Sequence, residues 1–330
     1  MKKRMTSLIL ALMMLLSLAA FSACGEKPAK EDGKYTVGIC QLAPHPALDA
    51  ATKGFRDQLV KELGEENVVF LEQNAQGEPT VATTIVNDFV TKKVDLILAN
   101  ATPALQAAAN ATEEIPVLGT SVTEYGTALS INDFSGTVGT NVSGTSDLAP
   151  LDQQAAIIKE LFPEAKTVAL LYCSSEANSE YQVKVVKAEL EKLGLTCADF
   201  PFSDSNDVSA VAAAAAAASD VIYIPTDNAA ANCTGAILNA IGDTPVIAGE
   251  ENICRGCGVA TLSISYYDLG VATGKMAAAI LSGKQDVSSM AIQYAENFTK
   301  EYNADRCAEL GIDTAALEAA GYVVIPESAD

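Results

Sequence analysis

Leu170-Leu171-Tyr172-Cys173-Ser174-Ser175-Glu176-Ala177-Asn178-Ser179-Glu180-Tyr181-Gln182 carries an apolar run through a small polar loop straight into a helical pattern. Ser179 and Gln182 fit the S-x-x-Q capping box, in which each side chain satisfies one free amide at a helix start. With Ser179 as cap, Ser174, Ser175, Glu176 and Asn178 lie at a strand's carboxyl end, beside the positive end of a helix dipole. That placement suits a small anion such as a carboxylate; a plain helix start uses the same residues.

The same order of elements occurs earlier in the chain. Thr36–Cys40 pairs with Thr167–Leu171 as an apolar strand. Helical stretches follow at Ala47–Leu63 and Ser179–Leu193, closed by Gly64 and Gly194 in the C-cap position. Strands Val68–Leu71 and Thr196–Phe200 come next, then helices Pro79–Thr91 and Asp207–Ala218, then strands Val94–Leu98 and Val221–Ile224. Helices start again near Thr102-Pro103 and Asp227-Asn228, and Ile115–Gly119 matches Thr244–Gly249. Alternating strands and helices argue for a parallel sheet covered on both faces, and two copies argue for two similar doubly wound α/β lobes, with one larger sheet as the alternative that periodicity leaves open. Gly136–Asp147, rich in glycine, serine and threonine, is read as a hinge crossing. A helix from Tyr267 to Leu281 returns to the first lobe, and the tail from Ile292 crosses back, giving a three-stranded hinge. The expected division is 35–142 plus about 266–291 for lobe 1, and 143–265 plus about 292–330 for lobe 2.

Composition narrows the setting. Lys2, Lys3 and Arg4 precede the apolar core Leu8–Ala20, the pattern of a secretory signal over 1–23. Phe21-Ser22-Ala23-Cys24-Gly25 resembles a bacterial lipobox, with phenylalanine in place of the usual leucine. It implies lipidation at Cys24, followed by a charged tether over 24–34. No other stretch has the ~20 apolar residues that span a bilayer. The formal charge is −21, or −24 without the three basic residues of the signal. Such a surface repels nucleic acid and anionic lipid headgroups. Seven further cysteines are an odd number, so they cannot all pair within the chain. Cys254-Arg255-Gly256-Cys257 is the one close pair, a weak zinc signal by itself and more in keeping with a local disulfide or two free thiols in a loop.

These residues resemble a known family, the type I periplasmic binding proteins. More narrowly they are similar to the ABC-transporter substrate-binding group that includes tryptophan- and tyrosine-binding lipoproteins. The resemblance rests on Gly38–Gln41 with Pro44-His45-Pro46-Ala47-Leu48-Asp49, on Gly54-Phe55, Ala99–Pro103 and Gly119–Thr123, and on Ser175–Ser179, Pro225–Asn228 and Ser265–Gly270. It implies an extracytoplasmic, lipid-anchored monomer that closes two lobes on a small solute and delivers it to a membrane permease with its ATPase. A receptor lipoprotein that reports ligand state to a membrane sensor would look the same.

In such sheets ligands sit beyond the carboxyl ends of the strands. An amino acid there needs donors for its carboxylate and an acid for its ammonium, because buried unpaired charges are costly. Asp227 is the expected ammonium partner, with Glu250 in reserve; Asp227 is equally suited to cap the helix that follows it. Donors for the carboxylate are sought among Ser175, Asn178, Ser179, Thr102 and Thr120, with Asn100, Ser121, Glu176 and Thr226 completing the facing loops. His45, the sole histidine, Tyr125, Tyr266 and Tyr181 are candidates for the side-chain pocket. The zwitterion is expected mainly on the second lobe. The expected ligand is an aromatic amino acid; branched-chain amino acids, nucleosides and sugars are the alternatives. No enzyme is expected: one histidine, no base beside a nucleophile and no phosphate-loop spacing leave catalysis without its parts. No cofactor and no metal is expected.

Overall fold

The computed structural model describes residues 33–326. The signal pattern, Cys24 and most of the tether lie outside them. The first unit runs β1 (Tyr35–Gln41), α1 (Pro46–Leu63), β2 (Val68–Asn74), α2 (Pro79–Thr91), β3 (Leu96–Asn100), α3 (Thr102–Ala111), β4 (Val117–Val122), α4 (Tyr125–Ala128) and β5 (Val142–Ser146). The second runs α5 (Leu151–Leu161), β6 (Thr167–Cys173), α6 (Ala177–Lys192), β7 (Thr196–Phe202), α7 (Val208–Ala218) and β8 (Val221–Ile224). It continues with α8 (Asn228–Asn232), α9 (Thr234–Ile241), β9 (Val246–Ala248), α10 (Glu251–Cys257) and β10 (Ala260–Ser263). The chain ends with α11 (Tyr266–Leu281), β11 (Gln293–Tyr294), β12 (Thr299–Tyr302), α12 (Ala304–Leu310), α13 (Thr314–Ala319) and β13 (Val323–Val324).

Two sheets result, ordered β11-β5-β4-β3-β1-β2 and β13-β12-β10-β9-β8-β6-β7. Every pairing is parallel except β10 with β12. The period-2 alternation of strands sorts their side chains onto both faces. In β3, Leu96 and Leu98 join Phe55, Leu59 and Met276, while Ile97 and Ala99 join Phe89 and Leu105. In β6, Val168 and Leu170 face one core, Ala169 and Leu171 the other. Fully burying one such leucine or phenylalanine stabilises the fold by about 1.5–3 kcal/mol. Gly64 at φ 90° and Gly194 at φ 83° follow α1 and α6, the helices after β1 and β6, as their spacing predicts.

Two expectations need correction. The segment read as a hinge crossing contains β5, a strand in the first sheet whose five residues are all buried. Its hydroxyls are satisfied internally: Ser143 Oγ donates to Met290 O (3.0 Å), Ser146 Oγ to Thr123 O (2.7 Å), and Thr145 Oγ1 lies 2.8 Å from Thr273 Oγ1. The first sheet therefore keeps the chain to Ser146, and again at Gln293–Tyr294, which pair with β5. The three crossings fall between β5 and α5, between β10 and α11, and between β11 and β12. Second, Cys254 and Cys257 are not in a loop. Both are free thiols buried on α10 against the second lobe's core. No helix among the described residues is long and apolar enough to cross a membrane.

Helix α11 is fixed to α1 through glycine. A Cβ placed on Gly270 would lie 2.0 Å from Ala51 O, one on Gly54 2.1 Å from Tyr267 O, and one on Gly274 2.8 Å from Phe55 O. The two backbones touch where only hydrogen fits. Gly270→Val should lower the unfolding free energy in urea by about 1–3 kcal/mol or more through overpacking. Gly235→Ala is the control, since a Cβ at Gly235 meets open space; that variant should be unchanged or slightly more stable.

Candidate functional site

The carboxyl ends of β1, β6, β8 and β9 lead into helix starts whose residues line the gap between the lobes, and β4 contributes Ser121 there, with Thr123 just beyond its end. On the second lobe each of three such starts carries an acidic residue in the capping position. α6 begins at Ala177, so Glu176 and not Ser179 is its N-cap residue. Glu176 reaches instead to the next helix start: its carboxylate accepts from Asn228 N (3.1 Å), Asn228 Nδ2 (2.7 Å), Ala229 N (2.9 Å) and Asn178 Nδ2 (3.0 Å). Ser179 is buried inside α6. Gln182 does not close a capping box but grips the β8 loop, donating to Thr226 O (2.9 Å) and accepting from Thr226 N (3.1 Å).

Asp227 caps α8 and ties it to β6, accepting from Ala230 N (2.8 Å) and Cys173 N (2.7 Å). Glu250 caps α10 through Asn252 N (2.8 Å) and Ile253 N (2.6 Å). Asp227 thus fills the capping role that the sequence left open for it, and Glu250 caps as well; each carboxylate oxygen takes one amide and keeps a second lone pair.

The first lobe is built differently. His45 caps α1, its Nδ1 accepting from Ala47 N (3.1 Å). α3 starts after Ala101 at φ 91° with no side-chain cap, and Ser121 sits at φ 53° in an irregular stretch of β4. Asn100 and Thr120 are framework: Asn100 Nδ2 donates to Leu48 O (2.8 Å) and Thr52 Oγ1 (2.9 Å), and Thr120 Oγ1 accepts from Thr145 Oγ1 (3.3 Å).

A small enclosed gap separates the lobes. His45, Ala47, Leu48, Ser121 and Thr123 line it from the first lobe, and Asn178, Thr226, Asp227, Asn228 and Glu250 from the second. Asp147 and Tyr266 close it at two of the crossings. Of the residues expected from sequence, His45, Ser121, Asn178, Thr226, Asp227, Glu250 and Tyr266 meet here. Asn100, Thr102, Thr120, Ser175, Glu176 and Ser179 do not line the gap, and Ser175 is exposed. The free volume is about 10 Å³, against roughly 300–1,000 Å³ for pockets that take small molecules. Seating a solute therefore requires the lobes to part.

Asp147 is the residue that sequence reasoning missed. It follows the Ser/Thr/Gly stretch taken for a hinge, and the signal was its position as the one acid ending that stretch. Its Oδ2 accepts from Tyr266 Oη (3.1 Å), while Oδ1 is buried without a partner. Ser121 Oγ and Asn178 Oδ1, also in the gap, are buried and unpartnered as well. Native proteins satisfy nearly all such atoms, so three in one gap mark a place for polar ligand atoms.

The electrostatics follow from burial. Among the described residues, three carboxyls but no lysine or arginine line the gap. Burial pushes Asp147 up to about 6 against the opposing hydrogen bonds of Thr123 and Tyr266. Burial, with the nearby Glu176 charge, pushes Asp227 up to about 7, and burial does the same for Glu250. His45 is lowered to about 4 by burial and is neutral near pH 7. The gap therefore favours an incoming positive group.

Residues 36–320 match the family model described as ABC transporter substrate binding protein. The chain is 33% identical over 303 residues to the tyrosine-binding protein of Clostridioides difficile (strain R20291), covering 86% of this chain and 85% of that protein. Among solved structures it is similar to an ABC domain from Streptococcus pneumoniae in complex with L-Trp, with TM-score 0.83 and 32% identity over 88% of this chain and all of that one. The ligand-free, open structure of a substrate-binding protein with adhesive properties from Clostridium difficile gives TM-score 0.68 at 35% identity, over 88% and 100%. The two-lobed parallel-sheet architecture is that of the type I periplasmic binding proteins, and the chain belongs to the ABC transporter substrate-binding protein family.

Proposed function

We propose that the protein captures an aromatic amino acid (tyrosine, tryptophan or phenylalanine) outside the cell, by closure of its lobes, for an ABC importer. The observation that carries this is the unpartnered Asp147 Oδ1 in a gap lined by carboxyls and no cation. An ammonium supplies the missing positive charge and the missing donor together. Asp147 is its primary partner, in place of Asp227. Ser121 presents its hydroxyl to the carboxylate from the first lobe, while the Thr123 hydroxyl bonds to Asp147, so in this reading the zwitterion is shared between first lobe and hinge and not held mainly by the second lobe. Relatives described as tyrosine-binding and as complexed with L-Trp support the aromatic class. The higher structural similarity to the L-Trp complex than to the open, ligand-free structure, at comparable identity, supports a closed arrangement here. The protein works as a monomer, lipid-anchored through Cys24, with a permease and its ATPase as partners. It binds and does not catalyse.

Isothermal titration of the mature protein against the twenty amino acids tests the reading: only aromatic ones should bind tightly. Asp147→Asn should weaken that binding about 30-fold or more, the cost of removing one partner from a buried charge pair. Equal affinity in the variant would remove Asp147 from the site.

Binding should also depend on pH. The ammonium needs Asp147 ionised, so affinity should fall about tenfold per unit as pH drops below about 6. Stability without ligand moves the other way. The folded-state value of Asp147 lies above its unfolded one, so its contribution is present at low pH and lost as pH rises through about 6. The ligand-induced rise in melting temperature should therefore shrink between pH 7.5 and pH 5, as scanning calorimetry would read.

A further inference from the structure

The gap has two chemically different ends. Asp147 interacts with Thr123, Tyr266 and Glu250, whereas His45 interacts with Asp49 and Glu176. Asn178 belongs to the His45 end, since its Nδ2 donates to Glu176 Oε2 (3.0 Å). At this far end two polar groups are left over. His45 Nδ1 accepts from Ala47 N, which places the proton of the neutral ring on Nε2. That Nε2–H has no hydrogen-bond partner among the described residues. Across from it, Asn178 gives Nδ2 to Glu176 and to Thr226 O (3.1 Å), which fixes the amide with Oδ1 as a buried acceptor without a partner.

One unused donor and one unused acceptor, on opposite lobes of the same gap, match a group that accepts and donates at once. Resting on the amino acid reading above, we infer that His45 and Asn178 read the phenolic hydroxyl of tyrosine, and so select it over phenylalanine and tryptophan. The hydroxyl accepts from His45 Nε2–H and donates to Asn178 Oδ1. An indole N–H only donates and leaves His45 unpaired; a phenyl ring leaves both groups unpaired. Sites built to hydrogen-bond a substrate hydroxyl reject the analogue lacking it by factors that reach about 10⁴–10⁵ where buried groups stay unsatisfied, as Asn178 Oδ1 would.

The neutral state of His45 fits this role, since burial holds the ring unprotonated. An imidazolium would lose the acceptor at Nδ1 that caps α1. His45 thus positions the helix with one nitrogen and presents the other to the ligand.

The test compares L-tyrosine, L-phenylalanine and L-tryptophan by isothermal titration, using the mature protein and His45→Asn. Asparagine is a favoured N-cap residue, so the variant keeps the α1 cap while withdrawing the imidazole. The wild type should bind tyrosine at least tenfold tighter than either other ligand. In His45→Asn tyrosine should weaken at least tenfold, with phenylalanine changed less than threefold, so that the preference collapses. Asn178→Leu should collapse it likewise, with circular dichroism confirming the fold of both variants. A wild type that favours tryptophan or does not discriminate, or a preference that survives His45→Asn, would overturn the inference and leave the amino acid reading standing. Absence of binding by all three aromatic amino acids would overturn both.

Discussion

The contact on which hinge and site both depend is the hydrogen bond from Tyr266 to Asp147. Asp147 follows β5 at the first crossing, and Tyr266 opens α11 at the second. Two of the three strands that join the lobes thus meet at one buried carboxyl, and that carboxyl lines the gap. A charge placed against Asp147 acts directly on the hinge and needs no longer route through the core. A bare carboxylate in this setting carries a desolvation cost that a bound cationic group offsets. Ligand charge and lobe position are therefore linked through the same few atoms.

The two lobes repeat a fold but divide the chemistry. In the second, Glu176, Asp227 and Glu250 fill the amide-rich helix starts that would otherwise attract anions. A carboxylate arriving there meets acids already in place. In the first lobe the α3 start has no side-chain cap, and Ser121 turns a free hydroxyl into the gap. The duplicated sheet supplies matching positions, and the side chains at those positions set opposite electrostatic preferences. Among the described residues this asymmetry arises without any lysine or arginine in the lining.

Much of the fold was legible because each lobe repeats the strand–helix alternation, with proline at the starts of α1, α2 and α3 and glycine after α1 and α6. The unread part is β5. Val142-Ser143-Gly144-Thr145-Ser146 has the composition of a loop, yet it is buried because its hydroxyls bond to Met290, Thr273 and Thr123. Those partners are distant in sequence, so no local pattern announces them, and missing the strand meant missing Asp147 at its end. For the site, the facing loops could be read from strand order, but not which side chains would be consumed in capping. Asp227 and Glu250 look the same in sequence whether they cap a helix or hold a ligand. Glu176 bridges to Asn228 and Ala229 on the next strand–helix unit, a contact that only the tertiary arrangement supplies.

The glycine seam between α1 and α11 bears on how the molecule changes shape. With Gly54, Gly270 and Gly274 bringing backbone against backbone, α11 has no side-chain layer along which to slide. The second connector is thus clamped at its first-lobe end, and a swivel that leaves this seam intact turns on residues that precede α11. A swivel of that kind keeps Tyr266 in register with the first sheet, while the second lobe swings past it like a door on a fixed pin.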